Sequence, residues 1–293
     1  MRVVIFGAAG MLGAELCAAA PVETTLTALD IGDVDITERA SVASVLDDAR
    51  PAWVINAAAY TAVDRAESDR DAAHAVNAVA PGQMAEECAK RDIALAHFST
   101  DYVFPGTATT PYAEDDGVAP VNAYGESKLL GERAVLHSDA RALVLRTQWL
   151  FGVAGRSFPR TMWERATKGS ATRVVSDQIG RPTYARDLAV ATWQLVGKRA
   201  AGLLHVTNAG PPATWFEFAR AVFVRAGAER LLSPCTTPDY PTPARRPAYS
   251  VLDNRRLETA LGHALPDWRD ALARFLDELG APPRKEMSSD AVT

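Results

Sequence analysis

A short apolar run that feeds directly into a glycine triplet constrains this chain more than any other feature. Arg2-Val3-Val4-Ile5-Phe6 is β-branched and apolar, so it reads as a buried strand. Gly7-Ala8-Ala9-Gly10-Met11-Leu12-Gly13 follows at once and opens a helix read from Met11 to Ala20. Glycines at GxxGxxG spacing let the backbone turn tightly, approach a pyrophosphate and pack the helix close to a sheet. The free N–H groups of the helix start then face an anion. A lone triplet is only a strand-to-helix turn. Between a strand and a helix near the start of the chain, Gly7, Gly10 and Gly13 read as a dinucleotide-binding turn.

The strand–helix alternation continues. Strands are expected at Thr25–Leu29, Trp53–Asn56, Ile93–Phe98 and Ala142–Leu145. Between them lie helices at Thr37–Ala49 with Thr37 as N-cap, within Ser68–Lys90, and at Asn122–Leu136. Such alternation implies parallel βαβ units. The expected fold class is α/β, a Rossmann-type doubly wound parallel sheet with a smaller C-terminal substrate-binding lobe. Residues 1–150 form the dinucleotide-binding domain, with returning segments at about 186–210, and residues 151–280 mainly the substrate-binding lobe. Further along the chain Gly180-Arg181-Pro182-Thr183 reads as a turn, Leu203–Val206 as a strand and Trp215–Ala226 as a helix. Residues 233–248, rich in Pro and Thr, read as an ordered loop or lid, and residues 281–293 as a disordered tail.

Composition narrows the function. A chain of 293 residues buries a large core without staples. A net charge of −5 argues against nucleic acid as a partner but leaves room for a locally basic pocket. Cys17, Cys88 and Cys235 are odd in number and lack CxxC spacing, so reduced thiols and a cytoplasmic location are expected. The five histidines form no HExxH pattern, and no metal is expected. Val3–Ala20 resembles a signal peptide, but Glu15 and the glycines interrupt it. No other stretch is long and apolar enough to span a membrane.

Asp30 falls at the end of the second strand, where a carboxylate accepts hydrogen bonds from the adenosine ribose and repels a 2′-phosphate. The expected cofactor is NADH or NADPH, with NADH favoured; the plainer reading is a turn residue before Gly32. Asp35 and Ile36 fall near the adenine. Asn56-Ala57-Ala58-Ala59 closes the third strand with small residues that permit close approach. Tyr124 and Lys128, four residues apart, share one helix face. Free tyrosine titrates at about 10, and a nearby ammonium is expected to lower that value. The pair then serves as a proton donor to a ketone that receives hydride. Thr100, at the carboxyl end of the fourth strand, is placed to hydrogen-bond the substrate oxygen.

Several stretches carry a more specific signal. They are the glycine turn, Asn56 to Asp64, Ser99 to Phe104, Tyr124 to Lys128, Arg146-Thr147-Gln148-Trp149, Gly180 to Thr183, and Tyr240-Pro241-Thr242-Pro243-Ala244-Arg245-Arg246-Pro247. On these the chain resembles the extended short-chain dehydrogenase/reductase family, and within it the dTDP-4-dehydrorhamnose reductases. The resemblance implies reduction of the C4 ketone of dTDP-4-dehydro-L-rhamnose to dTDP-L-rhamnose with NAD(P)H. It implies that Tyr124 protonates the C4 oxygen, Lys128 tunes Tyr124 and holds the nicotinamide ribose, and Thr100 orients the ketone. Asp101, Tyr102 and Trp149 would shape the sugar pocket. Met11, Leu12, Asp30, Asp35, Ile36, Ala58, Ala59, Tyr60 and Thr61 would line the cofactor channel. Arg245 and Arg246 would pair with the nucleotide diphosphate, or else are solvated surface arginines.

Some members of the group hold magnesium between glutamates at subunit contacts. Glu15 matches one such position, but Arg186 stands where an acid would help, so no metal site is expected. A homodimer is left open. A 4,6-dehydratase would carry an acid after Asp101, where Tyr102 stands, and a 4-epimerase does not fit the proline-rich arginine segment. A non-catalytic NAD(P)-binding subunit, resembling that of methionine adenosyltransferase, fits the intact Thr100–Tyr124–Lys128 set less well.

Overall fold

The apolar runs of the first half are buried on both sides, as a parallel sheet requires. The computed structural model describes residues 1–280, and the tail expected at 281–293 lies outside them. Its strands are β1 (Arg2–Phe6), β2 (Thr25–Leu29), β3 (Trp53–Asn56), β4 (Ala94–Thr100), β5 (Ala142–Thr147), β6 (Leu150–Phe151), β7 (Thr172–Val175), β8 (Ile179–Gly180), β9 (Thr183–Tyr184), β10 (Gly202–His205), β11 (Ala213–Thr214) and β12 (Leu232–Cys235). Its helices are α1 (Met11–Ala18), α2 (Arg39–Ala49), α3 (Arg70–His74), α4 (Ala80–Ala89), α5 (Ala123–Leu136), α6 (Phe158–Thr167), α7 (Ala185–Gly197), α8 (Trp215–Arg225), α9 (Arg255–Leu261) and α10 (Trp268–Gly280). None is long and apolar enough to cross a membrane.

Six strands form one sheet in the order β10-β5-β4-β3-β1-β2, every pair parallel. The chain winds from β1 outward to β2 and then, on the other side, to β3. The carboxyl ends of β1 and β3 therefore flank a topological switch point, where open α/β sheets leave a crevice. On one face α1 and α7 pack Leu12, Leu16, Leu188 and Trp193 against Val3, Ile5 and Ile55. On the other, α2, α4 and α5 pack Val42, Leu46, Met84 and Val135 against Val4, Phe6 and Val54. A second, aromatic core gathers Phe151, Tyr184, Phe218, Trp268 and Phe275 among the elements after β5.

Three local readings need correction. Helix α2 begins at Arg39, with Glu38 rather than Thr37 at its N-cap. Thr37 instead donates its N–H and hydroxyl to Asp35 Oδ1 (2.9 and 2.7 Å), a local turn that competes with capping. Strand β4 runs two residues past Phe98, because Ser99 and Thr100 pair with Arg146 and Thr147. The segment 233–248 starts as strand, β12 pairing in parallel with β7, before its proline-rich loop. A feature with no sequence counterpart is the π-helical turn Ala75–Val79 that joins α3 to α4.

Helix α5 is fixed at two points. At its start Asn122 accepts from the Gly125 N–H (2.7 Å) and donates to the Arg245 carbonyl (2.8 Å). At its middle the buried Glu132 receives a two-pronged bond from Arg146 of β5, Nε at 2.9 Å and Nη2 at 2.5 Å. The same guanidinium lies 4.9 Å over the Phe104 ring and donates to the Glu114 carbonyl. Elsewhere Arg186 donates to Glu15 of α1 (3.1 Å) and Glu278 of α10 (3.0 Å), so a cation stands between two carboxylates there.

Removing one member of a buried pair leaves the other uncompensated. Glu132→Gln is expected to lower unfolding stability in urea by about 3–5 kcal/mol. The charge-free double variant Glu132→Leu/Arg146→Met should lose far less. Equal losses in the two variants would show that shape at this site, not charge pairing, is what matters.

Candidate active site

The carboxyl ends of β1, β3, β4 and β5 open into a cleft of about 810 Å³. The turn after β1 brings Gly7, Gly10, Met11 and Leu12 to it. The segment after β2 brings Asp30, Asp35 and Ile36, and the end of β3 brings Ala58, Ala59 and Thr61. From β4 come Thr100, Asp101 and Tyr102; from α5, Tyr124 and Lys128; from the end of β5, Trp149.

Four residues expected at the site lie outside its lining. Gly13 sits beneath the turn, where an added Cβ would stand 2.0 Å from the Gly7 carbonyl oxygen, so its small size serves helix packing. Tyr60 packs with Ala66 and Ala73 and donates to Asp69 Oδ2 at 3.1 Å. Arg246 is already engaged: it donates to Asp64 Oδ2 (3.0 Å), Thr242 Oγ1 (3.0 Å) and the Ala244 carbonyl (2.7 Å). Arg245 is exposed, and only its carbonyl is tied down, by Asn122. Arg246 thus fastens a loop beside Tyr102, and neither arginine is among the residues that line the cleft.

The structure adds Ser99, Thr147, Gln148, Arg156 and Trp215 to the wall. Ser99 Oγ, Asp101 Oδ2, Thr147 Oγ1 and Gln148 Nε2 are buried with no hydrogen-bond partner. Each such atom costs about 1–3 kcal/mol unless a ligand or water satisfies it. The first three follow from the rule that strand ends line the site. Trp215 had a weaker signal: Thr214 and Glu217 form a capping box (Glu217 N–H to Thr214 Oγ1, 3.1 Å), which fixes where α8 starts but not where its first side chain points.

Trp149 is held in a left-handed backbone conformation (φ 47°), which is costly for a bulky residue. Its ring stacks on Trp215 at 3.6 Å between centroids. On it also presses Gly180, where an added Cβ would stand 2.5 Å from the indole. The ring is thus fixed by close packing around the strained turn.

The electrostatics are those of a dry corner. Burial pushes the Tyr124 phenol up to about 12, with the Asp101 charge adding and the Thr100 hydroxyl opposing. Burial pushes the Lys128 amine down to about 8, with Glu132 opposing. Tyr124 therefore moves opposite to the expected direction: desolvation of the phenolate and the Asp101 charge outweigh the pull of the Thr100 hydroxyl. Beneath them the buried His97 is held well below the usual histidine range by desolvation and by Lys128, and its Nδ1 lies 3.3 Å from Asn56 Nδ2. Burial also raises the Asp101 carboxyl to about 7, against the pull of the Ser250 and Thr100 hydroxyls. Thr100 Oγ1 donates to Asp101 Oδ1 at 3.0 Å, and the Tyr102 ring meets Tyr124 edge-on at 5.8 Å.

These residues fit a nicotinamide dinucleotide. Helix α1 starts at Gly10 with no side chain capping it, and small residues flank the turn. Asp30 Oδ2 accepts from the Ala9 N–H at 2.7 Å, locking the end of β2 to the glycine turn.

Residues 1–281 match the family model described as RmlD substrate binding domain. The chain belongs to that family. Two relatives agree along nearly their whole lengths. A probable dTDP-4,6-dihydroxy-2-methyloxan-3-one 4-ketoreductase of Streptomyces antibioticus is 48% identical, over 97% of this chain and 99% of that one. A dTDP-4-dehydrorhamnose reductase of Burkholderia thailandensis is 42% identical, over 95% and 99%. Among solved structures, the dTDP-4-dehydrorhamnose reductase of Bacillus anthracis in complex with NADP superposes with a TM-score of 0.91 at 36% identity, over 94% and 99%. The family is one of oxidoreductases, and NAD(P)H is its reductant.

The Asp101 shift has a measurable sign. A carboxyl raised from about 3.9 in the unfolded chain to about 7 in the native state stabilises the fold fully below pH 4. That contribution is lost as pH rises to 7. Wild-type melting temperature, relative to Asp101→Asn, is expected to fall between pH 4.5 and pH 7.5 in scanning fluorimetry. A constant difference would mean that Asp101 is ionised throughout.

Proposed function

We propose that this chain reduces the C4 ketone of dTDP-4-dehydro-L-rhamnose to dTDP-L-rhamnose, with Tyr124 as proton donor. The observation that carries the reading is the convergence of Thr100, Tyr124 and Lys128 on one corner of a dinucleotide-shaped cleft. Gly7 to Leu12, Asp30, Ile36, Ala58, Ala59 and Lys128 would hold the cofactor. When bound, NADH or NADPH supplies hydride to the C4 carbon. Tyr124, kept protonated at neutral pH by its burial, gives its proton to the C4 oxygen as charge develops there. Lys128 remains largely ammonium at pH 7 and stabilises the phenolate that results. Thr100 donates to the ketone oxygen once its hydroxyl turns away from Asp101 Oδ1, to which it donates at 3.0 Å. Asp101, Tyr102 and Trp149 enclose the sugar.

Asp30 favours NADH over NADPH in this reading. Its carboxylate stands at the end of β2 beside Ile31, Val34 and Asp35. Among the described residues the only Lys or Arg side chains in the lining are Lys128 and Arg156, and neither belongs to this segment. A 2′-phosphate would meet carboxylates there without a cation to pair with.

Three assays test the proposal. The purified chain should oxidise NADH when given dTDP-4-dehydro-L-rhamnose; the ketone named for the Streptomyces relative, run in parallel, tests the sugar. No turnover with the first substrate would overturn the reading. Tyr124→Phe should lower turnover by roughly 10²-fold or more, the scale of general acid catalysis, with cofactor affinity kept. Near-wild-type turnover would remove Tyr124 from its role. Asp30→Ala should bring the kcat/KM values for NADH and NADPH closer together, and an unchanged ratio would show that Asp30 does not select.

A further inference from the structure

Gln148 follows the last residue of β5 and lines the cleft together with Thr147 and Trp149. It is 2% exposed. Its Oε1 accepts from the Arg181 N–H at 2.8 Å. A backbone N–H only donates, so the oxygen end of the amide is turned to Arg181 and the nitrogen end away from it. That nitrogen, Nε2, is buried and has no hydrogen-bond partner among the described residues. The turn at Gly180 braces the amide: a Cβ added there would stand 2.8 Å from Oε1 and 2.5 Å from the Trp149 indole. On its other side Gln148 adjoins Thr147, the sheet partner of Thr100. A fixed donor with nothing to donate to thus stands between the strand end that pairs with Thr100 and the indole of Trp149.

We propose that Gln148 is a specificity-determining residue whose Nε2–H donates to the C3 hydroxyl of the sugar. The ligand's identity rests on the reductase reading above. Within that reading the ketone oxygen meets Thr100 and Tyr124, and the ring lies against Trp149. The ketone carbon has two ring neighbours: C5 carries a methyl group and C3 a hydroxyl. Only the hydroxyl can accept, so it is the group beside the ketone that satisfies Nε2. An analogue without it would leave a buried donor unpaired in the complex, which weakens binding. Sites built around a hydroxyl reject such analogues far more strongly than apolar pockets do. The nicotinamide carboxamide is the competing acceptor. Gln148 is assigned to the sugar because the turn that braces its amide also braces the Trp149 ring.

Titration calorimetry on the full chain saturated with NADH tests this through binding, since dTDP-L-rhamnose and NADH are both reduced and do not react. The titrants are dTDP-L-rhamnose and its 3-deoxy analogue. Wild type should bind the analogue about tenfold or more weakly, the scale of an unpaired buried donor. Gln148→Met, which keeps the length and removes the donor, should bind the two alike, with the affinity for NADH alone unchanged. If Gln148→Met does not fold, Gln148→Glu above neutral pH gives the same comparison, because it keeps the acceptor for Arg181. Equal binding of the two titrants by wild type overturns the proposal. A preference that survives in the variant overturns it as well and assigns the hydroxyl to another group. Weakened NADH binding with the sugar preference intact assigns the amide to the carboxamide, and the proposal falls. If wild type does not bind dTDP-L-rhamnose, the role of Gln148 and the proposed substrate fall together. If the preference depends on Gln148 but the ketone is not reduced, the role stands and only the reaction is wrong.

Discussion

The buried bond between Arg146 and Glu132 sets the position of almost everything that reacts. Both side chains are out of water, so the pair adds little net stability over an apolar substitute of the same shape. Its effect is geometric. A two-pronged bond from β5 fixes the rotation of α5 about its own axis. Tyr124, Lys128 and Glu132 recur every four residues on that helix, so anchoring the third aims the first two. Arg146 is also the sheet partner of Ser99, one residue before Thr100. The hydroxyl, the phenol and the amine are therefore referenced to a single guanidinium. Glu132 has a second effect, since its charge counters the desolvation of Lys128.

The shifts of Tyr124 and Lys128 share one cause. Each group is displaced toward its neutral form because water is scarce where they meet. A neutral phenol is the form that can give a proton away, so the upward shift of Tyr124 suits reduction more than the downward shift read from YxxxK spacing. Spacing reports which groups are neighbours. It does not report how much solvent each has lost, and here the second quantity is larger.

The fold was legible because its signals are local. Period-two and period-3.6 apolar patterns and the glycine turn each lie within about twenty residues, and β1 to β5 were read from them. The carboxyl-end rule then located Thr100 from the sequence. What escaped was set by long-range partners. Arg246 is engaged by Asp64, far away in the chain. Trp215 reaches the cleft through packing against the second core, which no short pattern encodes. At Thr37 an Asx turn and an N-cap use the same residue types, and the bonds to Asp35 decide between them.

Gly180 shows how such a site can change its preference without touching its chemistry. The indole of Trp149 rests against a residue that has no side chain, with Trp215 stacked on it. Any bulk added at position 180 would press that indole out of place, while Thr100, Tyr124 and Lys128 are anchored through other elements. This wall of the cleft is thus adjustable by one methyl group from the far side of a ring.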